Sequence, residues 1–439
     1  MPGDGDNWNL QWLKNYLKGL EYKEDAVITQ LLACGEENFD FLESAARDLV
    51  AGTSYQGSCE ILEALIDSSY SKMLSGQAHL CWRRMYTDAQ ILRSLARVDS
   101  TTALDSIGRL DRAIIIAGAA GEGRLDEILS LISRIQHDFV PPRQLPTGLR
   151  TLTRAHGDPI YLKTSRHSIQ SLDIPPSLLS FQTERYLQPF ILRNYAKFWP
   201  AINEHPWSSA AYLRAVAGPG RLVPVEVGSD YRTDDWSQTL MGWDAFLATL
   251  KLDEQTYTPP TDVLYLAQHN LLMQFPELNS DIIVPDYAYA SLPSPPGCAE
   301  YRPPGNADQL VINGWLGPKG TVSPAHTDPY YNLFVQVVGR KTVWVAPPAL
   351  SKYMYPYKAQ QNENPASNIT SPSLCNTSRV DVFTHGLGDD RFPDFWKHVI
   401  KDELTMHATL EPGDLLFLPA GWWHGMRAEE TSFSVSMWF

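Results

Sequence analysis

Through the first third of the chain, apolar residues recur at three- and four-residue spacing among polar ones. That period gathers apolar side chains on one face of a helix. It predicts helices over residues 9–20, 24–32, 39–49, 59–74, 78–96, 101–118 and 123–135. Turn residues separate them, and no fixed period marks a helical repeat. No catalytic constellation falls here, so residues 1–136 read as an α-helical domain that packs on the rest of the chain or recruits a protein partner. Residues 137–178 then read as a linker, because Pro141-Pro142, Pro146, Gly157-Asp158-Pro159 and Pro175-Pro176 break any regular element.

From residue 179 the pattern shifts to short apolar runs bounded by turns, which predicts strands at 190–192, 223–227, 263–268, 332–338, 341–345 and 415–419. Helices are expected at 207–216 and 243–250. Gly339-Arg340 reads as a two-residue turn that joins 332–338 and 341–345 into a hairpin. In that hairpin Asn332, Phe334, Gln336, Lys341 and Val343 share one face. The Pro- and Tyr-rich stretch 282–305 is expected to form a loop at the mouth of a site. The polar stretch 357–378 has little periodicity and reads as a long insertion.

Candidate chemistry concentrates in this second half. In His326-Thr327-Asp328 both outer side chains leave an extended strand on the same face. Downstream, the turn Glu411-Pro412-Gly413-Asp414 leads into an apolar strand and then His424. Two histidines and one aspartate on adjacent strands make the facial triad that holds Fe(II) and leaves positions open. An H-x-D pair alone is a weak signal, but here Ser323-Pro324 precedes it and Asn332 and Lys341 follow. An amide and a lysine on a buried apolar face are costly unless an anion sits there. The pattern therefore suggests a metal beside a carboxylate-binding lysine. Glu226, between Val225 and Val227, reads by itself as an ordinary solvent-facing carboxylate.

Composition mostly excludes. The 439 residues, 44% hydrophobic and 20% charged, are ordinary for a globular chain with room for two domains. A net charge of −14 without a basic run argues against direct nucleic-acid binding and is compatible with a basic protein substrate. Five scattered cysteines with no C-x-x-C fit free thiols in a reducing compartment. No apolar run of about 18 residues predicts a membrane span, and no secretory signal is expected at the N-terminus. Asn368-Ile369-Thr370 and Asn376-Thr377-Ser378 then read as chance matches to glycosylation acceptors.

These motifs together resemble the JmjC-domain 2-oxoglutarate oxygenases. The likeness is densest over V-P-V-E-V-G-S (223–229), W-S-Q-T-L-M (236–241), Y-L-A-Q-H (265–269), residues 312–347 and F-S-V-S-M-W-F (433–439), and looser through the helical half. The resemblance implies an α+β chain with a double-stranded β-helix (jelly-roll) catalytic domain, 179–439, behind the helical one. It implies an enzyme that uses Fe(II), 2-oxoglutarate and O2, with His326, Asp328 and His424 on the metal. By resemblance Lys341, Tyr265, Ser323 and Asn332 bind 2-oxoglutarate, and Glu226, Tyr231, Gln268, Trp315 and Trp438 line the substrate site, with Trp236 nearby. The implied substrate is a protein or peptide with a cationic side chain, preferably an arginine of a nuclear or ribosome-associated protein. The alternative is demethylation of histone methyl-lysine, which begins with the same C–H hydroxylation. Either places the protein in the nucleus, the cytoplasm or both.

Two other classes are weighed against these. A non-catalytic cupin-like scaffold is disfavoured by the intact triad with Lys341 and Asn332, and an RNA-base hydroxylase by the acidic charge. The chain departs from the family at Thr327 and at Tyr330-Tyr331, where related enzymes often carry glutamines and where the tyrosines are expected at the substrate entrance. Trp422 and Trp423 read as packing, and His269, His385, His398 and His407 as structural or exposed.

Overall fold

The computed structural model describes residues 8–21, 26–75, 80–144, 160–228, 230–232, 236–252, 263–296, 300–357, 374–384, 386 and 389–439. Among the described residues seven helices come first: α1 (Trp8–Leu20), α2 (Ala26–Leu32), α3 (Glu36–Ala51), α4 (Tyr55–Leu74), α5 (Leu80–Leu95), α6 (Ala103–Ala117) and α7 (Arg124–Phe139). Their buried positions follow the apolar spacing. In α7 these are Ile128, Leu131, Ile132 and Ile135, and their faces meet in one helical core. No described helix is long and apolar enough to cross a membrane.

Fourteen strands follow among the described residues. They are β1 (His167–Ser168), β2 (Gln170–Leu172), β3 (Phe190–Leu192), β4 (Leu222–Val227), β5 (Ser237–Gly242), β6 (Leu264–His269) and β7 (Val311–Gly317). After them come β8 (Val322–Thr327), β9 (Asn332–Val338), β10 (Lys341–Ala346), β11 (Met406–Leu410), β12 (Leu415–Leu418), β13 (Trp423–Ala428) and β14 (Ser432–Trp438). One sheet runs β1-β11-β10-β13-β8, and the other β2-β3-β12-β9-β14-β7-β6-β4-β5. This is the jelly-roll that the family resemblance implies. β1 and β2 lie inside the stretch read as linker and pair in parallel with β11 and β3. The helix expected at 207–216 forms over Ala210–Ala217, with Ser209 accepting a hydrogen bond from the Tyr212 N–H. The stretch 282–305, expected as a loop, contains a short 3-10 turn, Asp286–Tyr289.

The expected hairpin does not form. β9 pairs with β12 and β14, whereas β10 pairs with β11 and β13. Gly339-Arg340 is thus a corner where the chain crosses from one sheet to the other. Phe334 from β9 and Val343 and Val345 from β10 meet in the core between the sheets. Leu333, Val335 and Val337 pack behind the larger sheet, and Trp344 and Ala346 behind the smaller one. Both strands are covered on both faces, so every residue in them is buried and neither shows an alternation of buried and exposed positions. Asn332, Phe334, Lys341 and Val343 therefore face one another across the interior rather than side by side. Gln336 is not part of the site: its amide donates to the Val338 and Gly339 carbonyls at 2.6 and 3.1 Å and accepts from Ser434 at 2.8 Å.

The corner requires glycine. Gly339 has φ +66°, and a Cβ there would stand 2.1 Å from the Thr431 carbonyl oxygen. Gly339→Ala is expected to destabilise the protein by more than about 1 kcal/mol, read as a lower urea midpoint. An unchanged midpoint would mean that the corner is not rigidly held.

Candidate active site

β8 is an edge strand, and its inner neighbour β13 places His424 directly opposite His326. The two imidazole centroids stand 4.3 Å apart. Asp328 lies one residue beyond β8, where its carbonyl accepts the Gly421 N–H at 2.8 Å. Its carboxylate oxygens lie 3.7 Å from His326 Nε2 and 3.5 Å from His424 Nε2. The three side chains form one candidate metal cluster, with donor atoms within 4.8 Å of one another.

Hydrogen bonding fixes the tautomers. His326 Nδ1–H donates to the Pro324 carbonyl at 2.7 Å and His424 Nδ1–H to the Trp422 carbonyl at 3.1 Å. Both Nε2 lone pairs are thereby turned toward Asp328, the orientation that a metal ligand needs. Burial, with the neighbouring His424, holds His326 below the usual histidine range. Burial also works to raise Asp328, but the adjoining imidazoles of His424 and His326 outweigh it and hold the carboxyl low. Asp328 in turn outweighs burial at His424 and raises it. With metal bonds of about 2.0–2.2 Å, two donors on one ion stand at most about 4.4 Å apart. Both histidine–aspartate separations satisfy that limit, so the donor set fits a divalent ion.

Deeper inside lies a narrow cavity lined by the triad and by Tyr265, Ser323, Asn332, Phe334, Lys341 and Ser436. Lys341 opens β10, is 2% exposed, and has its Nζ 3.5 Å from Tyr265 Oη and over the Phe334 and Tyr265 rings. Among the described residues no carboxylate pairs with it, and burial pushes its pKa down to about 7. Asn332 Oδ1 is buried without a partner among the described residues. Tyr265 stays protonated chiefly because it is buried. A lone buried ammonium beside a phenol, a hydroxyl and an unsatisfied amide fits a carboxylate ligand.

The cavity opens into a cleft of about 850 Å³ that shares Tyr265, Trp315, Ser323, His326 and Asp328 with it. Glu226, Tyr231, Gln268, Trp315 and Trp438 all line this cleft, as does Trp236. Glu226 lies on β4 opposite Gln238 and Tyr265. Burial raises its pKa, partly offset by the neighbouring polar groups of Trp236 and Gln238. Trp315 Nε1–H donates to Ser436 at 2.8 Å, which fixes the indole at the junction of the two spaces.

The two tyrosines expected at the entrance part company. Tyr330 lines the cleft and packs on Trp438 at 5.5 Å, whereas Tyr331 is fully buried in the core against Phe417 and Phe439. Trp422 and Trp423 are core residues. His269 bonds Gln274, His398 stacks on Tyr353, and His407 lies within β11; His385 lies outside the described residues. Of the expected insertion, 358–373 lies outside the described residues.

The sequence reading missed Asn376 and Thr377, which line the cleft. Thr377 bridges to His326, and the Asn376 carbonyl and amide bond the Thr327 N–H and carbonyl. They cover the free edge of the metal-bearing strand. No local pattern signals this, because some fifty residues separate the partners.

The family model for the cupin-like domain matches residues 181–439. Among curated proteins, Jumonji C domain-containing protein 5 of Drosophila melanogaster is 37% identical over 391 residues, covering 86% of each chain. Lysine-specific demethylase 8 of Danio rerio is 32% identical over 415 residues, covering 91% of each. Lysine-specific demethylase JMJ30 of Arabidopsis thaliana is 29% identical over 412 residues, covering 86% of this chain and 85% of that one.

Proposed function

Since the chain belongs to the JmjC family of cupin-like proteins, we propose that it is an Fe(II)- and 2-oxoglutarate-dependent oxygenase that hydroxylates an arginine side chain of a protein substrate. The observation that carries this reading is the pairing of a His-Asp-His donor set with an uncompensated buried lysine in one cavity. His326, Asp328 and His424 would hold the metal. Lys341, Tyr265, Ser323 and Asn332 would hold the far carboxylate of 2-oxoglutarate. When bound, Fe(II) and 2-oxoglutarate with O2 supply the oxidising power to hydroxylate an unactivated C–H bond. The protein's part is to orient the target carbon and to keep water out of the reacting space.

Glu226 supports a cationic target, because a half-buried carboxylate gains most from a guanidinium that can bond it through two N–H groups. Tyr231, Trp236, Tyr330 and Trp438 would provide aromatic walls for that cation. A second reading, demethylation of methyl-lysine, is favoured by the names of two of the relatives above, and the same cleft would accommodate it. The buried thiols of Cys34, Cys59 and Cys81 support work in a reducing compartment, the nucleus or the cytoplasm.

Mass spectrometry of peptides incubated with enzyme, Fe(II) and 2-oxoglutarate separates these readings. Gain of one oxygen on arginine, absent in His326→Ala, is the expected result. Loss of a methyl group with release of formaldehyde would replace the arginine reading by the demethylase one. No succinate under any condition would overturn the oxygenase assignment.

A further inference from the structure

The helical domain reaches the substrate side of the barrel through one buried polar cluster. Asp111, in the middle of α6, is fully buried and accepts four groups from beyond its own domain. Arg221 Nε and Nη2 lie 3.0 and 2.9 Å from its oxygens, the Leu222 N–H 2.7 Å, and Gln274 Nε2 2.8 Å. Arg221 also donates to the Gln274 carbonyl at 2.8 Å and lies over the Phe275 ring at 4.5 Å. Gln274 Nε2 donates a second bond to the Leu222 carbonyl at 2.7 Å, which leaves its Oε1 to accept the His269 Nε2–H at 2.7 Å.

Two strands are pinned in this way. Leu222, directly after Arg221, opens β4, which carries Glu226 four residues on. His269 closes β6, which carries Tyr265 and Gln268. Gln268 has φ +48°, at a register shift between β6 and β7, and it lines the cleft. A non-glycine residue in that left-handed region persists only where its surroundings hold it. His269, tied through Gln274 to Asp111, is the holder next to it.

We propose that Asp111 is a positioning residue of the substrate cleft: through Arg221–Leu222 and Gln274–His269 it fixes β4 and β6, so that the helical domain sets the placement of Glu226 and Gln268. A salt bridge that only joined two domains would not need to bond the first peptide of β4 and the amide that orients His269. The metal strands β8 and β13 take no part in the cluster. The helical domain therefore acts on the substrate half of the site and leaves the metal half alone. This inference rests on reading the cleft as the substrate site.

The test uses full-length Asp111→Asn, followed by amide hydrogen exchange and by kinetics on a peptide that the wild type hydroxylates. Exchange at 222–227 and 264–269 is expected to become at least tenfold faster, with 323–327 and 341–346 unchanged. The KM for peptide is expected to rise at least tenfold, and by more than the KM for 2-oxoglutarate, which depends on β6 only through Tyr265. Arg221→Lys, which keeps the charge pair, is expected to fall between wild type and Asp111→Asn in both readouts. Faster exchange spread evenly over the chain, or none at the two strands, would overturn the proposal. If Asp111→Asn does not fold, Gln274→Leu, which severs the arm to His269 and one bond to the Leu222 carbonyl but leaves Arg221 and the Leu222 N–H on Asp111, must loosen 264–269 more than 222–227 or the proposal fails. A wild type that makes no succinate would remove the oxygenase reading alone, since the exchange pattern still tests the wiring.

Discussion

His326→Ala is expected to weaken divalent-metal binding by about 10²–10³-fold and to bring succinate formation down to background. The size follows from general metal energetics. Four-ligand structural zinc sites are worth about 10–16 kcal/mol, or about 2.5–4 kcal/mol for each ligand, and about 1.4 kcal/mol is a tenfold change in affinity. His326 is also held in place for this task, since its Nδ1–H is committed to the Pro324 carbonyl at 2.7 Å and its Nε2 faces Asp328 at 3.7 Å, turned toward the place a metal would take. Two consequences reinforce the loss. Asp328 would keep a single imidazole partner, and the Thr377 bridge would cover a strand that no longer presents a ligand. Titration with Mn(II), which needs no turnover, is the measurement. His398→Ala, whose ring stacks on Tyr353 away from the triad, is the control expected to bind as wild type does. A His326→Ala protein that bound Mn(II) within threefold of wild type would dismiss the triad as the metal site.

The candidate donor residues were legible in the sequence because each lies on, or one residue beyond, a strand whose register is set by local patterning. His326 and Asp328 are two apart, and the turn at Gly413 starts the strand that leads to His424. The seven helices were legible for the same reason, since their core faces repeat within one turn. What escaped is non-local. Asn332–Val338 and Lys341–Ala346 carry the two-residue spacing of a hairpin, yet strands buried on both faces belong to the interior of a layered fold and need not pair with each other. The cost of reading them as a hairpin was modest, because parity still placed Asn332 and Lys341 in one interior. Tyr330 and Tyr331 illustrate the converse: adjacent residues face opposite ways, and only the fold decides which one meets the cleft. β1 and β2, two and three residues long, are too short to carry any pattern, and the bonds of Asn376 and Thr377 to β8 are made across an intervening stretch that no pattern spans.

The second large effect concerns Lys341, where burial, charge and pH meet. In the absence of an anion, burial lowers this lysine's pKa to about 7, because no carboxylate among the described residues offsets the loss of water. A dianionic 2-oxoglutarate would change that balance: with Asp328 it would match the two charges of the metal and the one of the ammonium, leaving the closed site neutral. Lys341→Met keeps the volume but removes the cation. It is expected to weaken 2-oxoglutarate binding by about 2–5 kcal/mol, a factor of about 30 to several thousand. The wild type should also show a definite pH dependence. Below pH 7 the lysine already carries its proton, so affinity should be flat. Above pH 7 the ligand can bind only as the lysine takes up a proton, so the Kd should rise toward tenfold per pH unit. Calorimetry on the Mn(II)-loaded protein, in buffers of different ionisation enthalpy, would record this as about one proton taken up at pH 8. In Lys341→Met the uptake and the slope should vanish together. A wild-type Kd that stays level from pH 6.5 to 8.5 would show that the lysine is charged before the ligand arrives, and would place its counter-ion elsewhere in the protein.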